Sequence, residues 1–244
     1  MLADELVGLE TFDPKAFQSD GTFPQSVCNL VLSLSLVYND FRDIYVAHDA
    51  INKSLLNEPL RETKLSGEIS GLRVHLLRIQ AGIIFELFNL IEHSVNAIEE
   101  PIFNKIISKI NKQGREAWTA LKIAAINHTS TGEVGHSLLF LRNKIAFHYD
   151  PKEIFKGYSN AFLSPTTKRI PYVSRGSNLQ QTRFYFADAS AQDYMVIKAS
   201  NDEVKAFING RAEVFNHVHI AIYEIVTKYI QLRGYGWRQI EKKV

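Results

Sequence analysis

Val27, Leu30, Val31, Leu34, Val37, Phe41 and Ile44 recur at steps of three and four, a period that lines one face of an α-helix and no face of a strand. Pro24 suits a first helical turn, so the pattern predicts a helix from about Pro24 to about Leu55. The same period returns in Leu72, Leu76, Ile79, Ile83, Leu87, Leu90 and Ile91, predicting a second helix from about Ile69 to Glu99, roughly 45 Å long. It returns again in Val204, Phe207, Ile208, Val214, Phe215, Val218, Ile222, Ile225 and Tyr229. That final helix should start near Asn201, whose amide oxygen can cap it, and end near Leu232. Helices this long with wide apolar stripes must bury them against one another, which points to a bundle.

The stretches between are less regular. Pro101 restarts the chain for a third helical stretch, PIFNKIISKINKQGREAWTALKIAAINH, with a break expected near Gly114. TSTGEVG reads as a turn before a fourth helix from about His136 to Tyr149, which Pro151 should stop by disfavouring helical geometry at Asp150. From 157 to 200 Gly, Pro, Ser and Thr increase, and TRFYFADASAQDYMVIKAS reads as two β-prone runs around a small-residue turn. The expected organisation is therefore an irregular arm at 1–23, one helical-bundle domain at 24–232 with a β-prone insertion at about 157–200, and a basic, aromatic tail at 233–244. The fold class is mainly α, a bundle of long helices with a small β-hairpin-containing insertion.

Composition narrows the function classes. Hydrophobic residues at 45% and charged residues at 22% describe a folded chain rather than a disordered one. A net charge of +2 gives no global field for nucleic acid, so any phosphate contact must be local. The single cysteine, Cys28, excludes an internal disulfide and a multi-cysteine zinc site and fits a reducing cytoplasm. The N-terminus carries Asp4, Glu5 and Glu10 and lacks the basic start and apolar run of an export signal. The most apolar run, Ile79 to Ile91, is interrupted by Gln80, Glu86 and Asn89 and falls short of the roughly 20 residues needed to span a bilayer; it reads as a buried helix, with no membrane partner. No Gly-rich phosphate loop, HExxH or G-x-S-x-G occurs, so neither a cofactor nor a metal is expected.

One stretch breaks the apolar pattern with chemistry. FLRNKIAFHYDP, residues 140–151, places Arg142 and Asn143 six and five residues before His148 among Leu, Ile and Phe. Polar groups in apolar surroundings are unfavourable unless hydrogen-bonded or used. An Arg and a His separated by four to six residues, with a polar residue after the Arg, resembles the signature of the HEPN superfamily, whose members carry it among long helices. The resemblance implies a metal-independent endoribonuclease of toxin or defence type, working as a homodimer on RNA, with an antitoxin or regulatory protein as a further partner. It implies His148 as general acid/base, Arg142 as phosphate and transition-state stabiliser and Asn143 in support, with Lys144 and Tyr149 contacting RNA.

The residues suit that chemistry. Imidazole transfers protons near neutrality, and guanidinium offers a permanently charged fork to phosphate oxygens. RNA cleavage by 2′-hydroxyl attack would leave a 2′,3′-cyclic phosphate. Six steps along an ideal helix place Arg142 and His148 roughly 120° apart, so a shared site would draw on two copies across a symmetric interface. The structural alternative has Arg142 paired internally, with Glu86 as one partner, and His148 closing a helix end. A non-catalytic RNA- or nucleotide-binding module is the functional alternative.

Lys105, Lys109 and Lys112 fall on one face of the third helical stretch at steps of four and three, with Arg115 extending it, a candidate RNA contact or a plain solvated face. The tail RGYGWRQIEKKV mixes cations with Tyr235 and Trp237 and suits base stacking or interface packing. His217 and His219, two apart on a helix, point in different directions and read as structural rather than as a metal pair.

Overall fold

The computed structural model of the chain describes residues 10–55, 64–127, 151–166, 169–175, 177–178, 182–198, 201–235 and 238–239. It is mainly helical. The helices are α1 (Gln25–Leu55), α2 (Lys64–His93), α3 (Val95–Glu99), α4 (Pro101–Lys109), α5 (Lys112–Asn127), α6 (Pro151–Tyr158), α7 (Tyr185–Lys198) and α8 (Asn201–Leu232). Two-residue strands β1 (Glu10–Thr11) and β2 (Arg238–Gln239) pair antiparallel, Glu10 opposite Gln239 and Thr11 opposite Arg238.

The three long helices fall where the apolar period puts them. α1 and α8 match their expected spans, and the second long helix gives way after His93, with Ser94 joining it to α3. The third stretch breaks at Ile110–Asn111, earlier than Gly114. The cause is a local cap: Asn111 Oδ1 accepts from Gly114 N at 2.7 Å, satisfying one of the free donors of α5. Pro151 opens α6, where its missing N–H costs nothing. The expected fourth helix at 136–149 lies outside the described residues.

α1 packs on α2 and α8, and α5 packs on the same two, so the four form a closed ring. The core inside it includes Leu34, Ile84, Leu87, Phe88, Phe103, Trp118, Leu121 and Tyr229, all less than 2% exposed. Each such side chain contributes about 1.5–3 kcal/mol by leaving water. Part of α2, Ser66–His93, is long and apolar enough to cross a membrane by length and composition, more than the Ile79–Ile91 run indicated. Yet 56% of its most apolar window is buried inside the protein, as in a core helix.

The hairpin expected in the insertion is corrected. Tyr185 to Lys198, the heart of both β-prone runs, is α7, and strand-like pairing there is limited to one antiparallel bridge between Ser174 and Arg183 among the described residues. Ala187, Ala189 and Ala191 are strong helix formers, and the helix buries Tyr185, Ala191 and Tyr194. Tyr194 and Ala191 pack with Val74 of α2 and Ile154 of α6 in a second small core outside the ring. α6 continues as a π-helical turn, Ser159–Leu163.

The arm is pinned. Tyr229 Oη donates to the Ala16 carbonyl at 2.5 Å. The Arg233 guanidinium, with its side chain 2% exposed, bonds Asp20 and the Lys15 and Gln18 carbonyls and lies over Phe23 at 4.8 Å. Asp20 is held below the usual carboxylate range, first by the Phe23 and Thr22 amides and then by Arg233.

α6 and α7 approach so closely that a Cβ on Gly157 would lie 1.9 Å from the Ser190 carbonyl oxygen. A backbone atom cannot step aside as a side-chain tip can. Gly157→Ala should lower stability by about 2–3 kcal/mol, read as a fall in the denaturant midpoint; an unchanged midpoint would refute this packing.

Candidate functional site

The sequence-predicted catalytic residues Arg142, Asn143 and His148, with Lys144 and Tyr149, lie outside the described residues. Their segment leaves the end of α5 and rejoins at Pro151. Lys105 and Lys109 are exposed on α4, whereas Lys112 stands across the Ile110–Asn111 break at the start of α5, 3.7 Å from Glu116. The three lysines therefore do not form one helix face. Trp237 of the tail also lies outside the described residues.

A different group of side chains surrounds a cavity of about 730 Å³ between α1, α2 and α8. Residues at helical spacing on α1 and α8 build it from one end to the other. At one end Tyr38 Oη and His219 Nδ1 lie 3.1 Å apart. In the middle Phe41 meets Phe215 with ring centroids 4.6 Å apart. At the other end stand His48 and Asn52 of α1, Gln80 of α2 and Arg211 of α8, with Arg73 of α2 donating to Asn52 Oδ1 at 2.6 Å. Tyr38, Arg42, Tyr45 and Asn52 follow one another at helical spacing on α1, which is why they face one cleft.

Arg211 Nη1 donates to Gln80 Oε1 at 2.9 Å, and no carboxylate among the described residues meets that guanidinium. Burial pulls the Arg211 pKa down from its ordinary value. Arg42, by contrast, is paired with Asp43 at 2.7 Å.

His48 Nε2 is sealed from solvent and has no hydrogen-bond partner. Burial, and then the positive charge of Arg211, pull the His48 pKa down; a contact with Gln80 acts the other way without forming a well-aligned hydrogen bond to Nε2, and Arg73 adds to the lowering. The imidazole is therefore neutral at pH 7. Burial also raises the Tyr38 hydroxyl, which stays protonated.

Such a cleft can hold an anion at one end and a flat ring along its aromatic middle. No group of three or more His, Cys, Asp or Glu side chains that could hold a metal ion occurs among the described residues. His219, read from sequence as structural, is part of the cleft wall. Gln80 stood out in the sequence only as an interruption of an apolar run, and Arg211 and His48 gave no local signal. Comparison with protein-family models, curated proteins and solved structures finds no match to this chain.

The His48 shift sets a pH dependence. Its folded pKa lies below the ordinary 6.5, so between the two values the unfolded chain binds more protons and stability rises with pH. Denaturant midpoints of the ligand-free protein should fall as pH drops below about 6.5, and His48→Gln should flatten that part of the profile. Identical profiles for the two proteins would show that His48 is not held neutral.

Proposed function

We propose that this chain binds phosphate-bearing ligands of the nucleotide or RNA class in the cleft between α1, α2 and α8. The observation that carries the reading is Arg211, a guanidinium drawn partly out of water with an amide oxygen for its partner. A guanidinium half withdrawn from water gains from a negative partner, and among the described residues no carboxylate meets this one, so an anionic ligand would supply that charge. The aromatic walls and the Asn52, Gln80 and Asn216 amides add groups that hydrogen-bond and stack on bases.

The test is titration of the purified chain with nucleoside monophosphates and short RNA at two salt concentrations. Arg211→Met should weaken binding at least about tenfold, some 1.4 kcal/mol, while leaving the denaturant midpoint unchanged or higher. Equal affinity in the variant, or no binding by the wild type, would remove the proposal.

The Arg142 to His148 motif favours a second reading, a metal-independent endoribonuclease of HEPN-like, toxin or defence type acting as a homodimer. In it His148 transfers protons, Arg142 stabilises the phosphorane and Asn143 positions one of them. Labelled RNA should then be cut in EDTA to 2′,3′-cyclic phosphate ends, and His148→Ala should lose at least about a hundredfold in rate while keeping its helical circular dichroism. RNA left intact by the wild type in that assay would leave binding alone.

A further inference from the structure

We propose that the ligand of the cleft is a single-stranded oligonucleotide of two or more nucleotides, with one phosphate on Arg211 and a base further along the strand stacked on the rings of Tyr38, His219 and Tyr223. The inference rests on the anion-binding reading of the cleft and names its ligand more narrowly.

Arg211 and His219 both line the cleft and stand eight positions apart on α8, about 12 Å along the axis. A stacked strand advances about 3.4 Å per nucleotide, and an extended one about twice that. A mononucleotide with its phosphate on Arg211 therefore leaves the His219 end of the cleft empty. A strand of two or more nucleotides fills it.

That far end is built from rings. Tyr38 and His219 have centroids 6.0 Å apart and planes inclined by 30°, and Tyr223 continues the group at 6.5 Å and 28° from His219. The 3.1 Å contact between Tyr38 Oη and His219 Nδ1 holds the first two in place. Tyr223 is 56% exposed and His219 is exposed, so both rings stand in water rather than in the core. Rings of similar tilt, fixed by two helices before any ligand arrives, suit sequence-tolerant stacking of unpaired bases.

Charge gives the strand its direction. Arg42 is the guanidinium that acts on the Tyr38 hydroxyl, and Asp43 already pairs with it at 2.7 Å. Arg211 has only an amide oxygen for its partner. The anionic part of the ligand therefore goes to Arg211 and the uncharged base to the ring end. Between the two, Asn216 lines the cleft and is exposed, offering a donor and an acceptor to a base edge or a sugar hydroxyl. A duplex hides its base faces in its own stack, so an unpaired strand is the form that fits.

Isothermal titration of the full chain tests this with adenosine 5′-monophosphate, a 5′-phosphorylated adenylate tetranucleotide and a short RNA duplex as probes. The tetranucleotide should bind at least about tenfold tighter than the monophosphate and tighter than the duplex. Tyr223→Ala should weaken the tetranucleotide at least about fivefold more than it weakens the monophosphate, whereas Tyr223→Phe, which keeps the ring, should bind like the wild type. A tetranucleotide no tighter than the monophosphate, a duplex bound as tightly as the single strand, or a Tyr223→Ala protein that treats both single-stranded probes alike overturns the inference and leaves the anion-binding reading standing. If none of the three probes binds a protein with intact helical circular dichroism, both fall.

Discussion

Phe41 against Phe215 sets how α1 lies on α8, and the candidate cleft depends on that register. The two helices run antiparallel, with Tyr38 beside His219 one turn to one side. Continuing the same register in the other direction brings Arg211 level with Tyr45, one turn short of His48. A slip of one helical turn, about 5.4 Å, would separate Tyr38 from His219 and carry the guanidinium away from the imidazole. Apolar packing thus does two things at once: it stabilises the ring of four helices and fixes the distance between groups that have no direct bond to each other. The Arg233 clamp acts at the opposite end of α8, where Tyr229 and Arg233 tie the arm to the bundle.

Placing a cationic cleft beside that core has a cost. Arg211 and His48 both have their charged forms disfavoured by burial, and the Arg211 charge lowers the His48 pKa further. Hydrophobic replacements of similar volume would relieve this, as Leu or Met at either position would pack without a desolvated charge. Gln80, buried at 4% exposure, shows the same trade: an amide stands in the apolar face of α2 where a Leu would fit the period. Three polar side chains from three helices meeting in one place are better explained by a shared ligand than by three separate accidents of packing.

Legibility in the sequence followed the range of the forces involved. The spans of α1 and α8 could be read because dozens of residues share one period, so local errors average out. The insertion could not, because β-prone residues such as Phe184, Tyr185 and Phe186 outweighed the alanines after them, and what makes Tyr185–Lys198 helical is burial of Ala191 and Tyr194 against Val74, 117 and 120 positions away in the chain. The lysines were misplaced by a single cap, Asn111. For the cleft, half of the signal was local and went unused: Tyr38, Arg42, Tyr45 and Asn52 form a stripe on α1 that resembles an ordinary solvent face. Only the packing of α8 and α2 against it distinguishes the two.

The helices α5 and α6, which flank residues 128–150 in the chain, pack on the helices that line the cleft or beside them. α5 begins beside Glu224 of α8, where Gly114 lies against the Glu224 side chain, and only eight residues of α8 remain beyond that point. Its 16 residues therefore pack back along α8 toward the Arg211 end. α6 sets Ile154 against the small core of Val74, Ala191 and Tyr194, and Val74 is six positions from Gln80, about 9 Å along the α2 axis. The end of α5 thus points along α8 toward its N-terminal half, and α6 packs on the small core beside α2. The end of the bundle opposite the Arg233 clamp is therefore where substitutions should alter ligand chemistry more than stability.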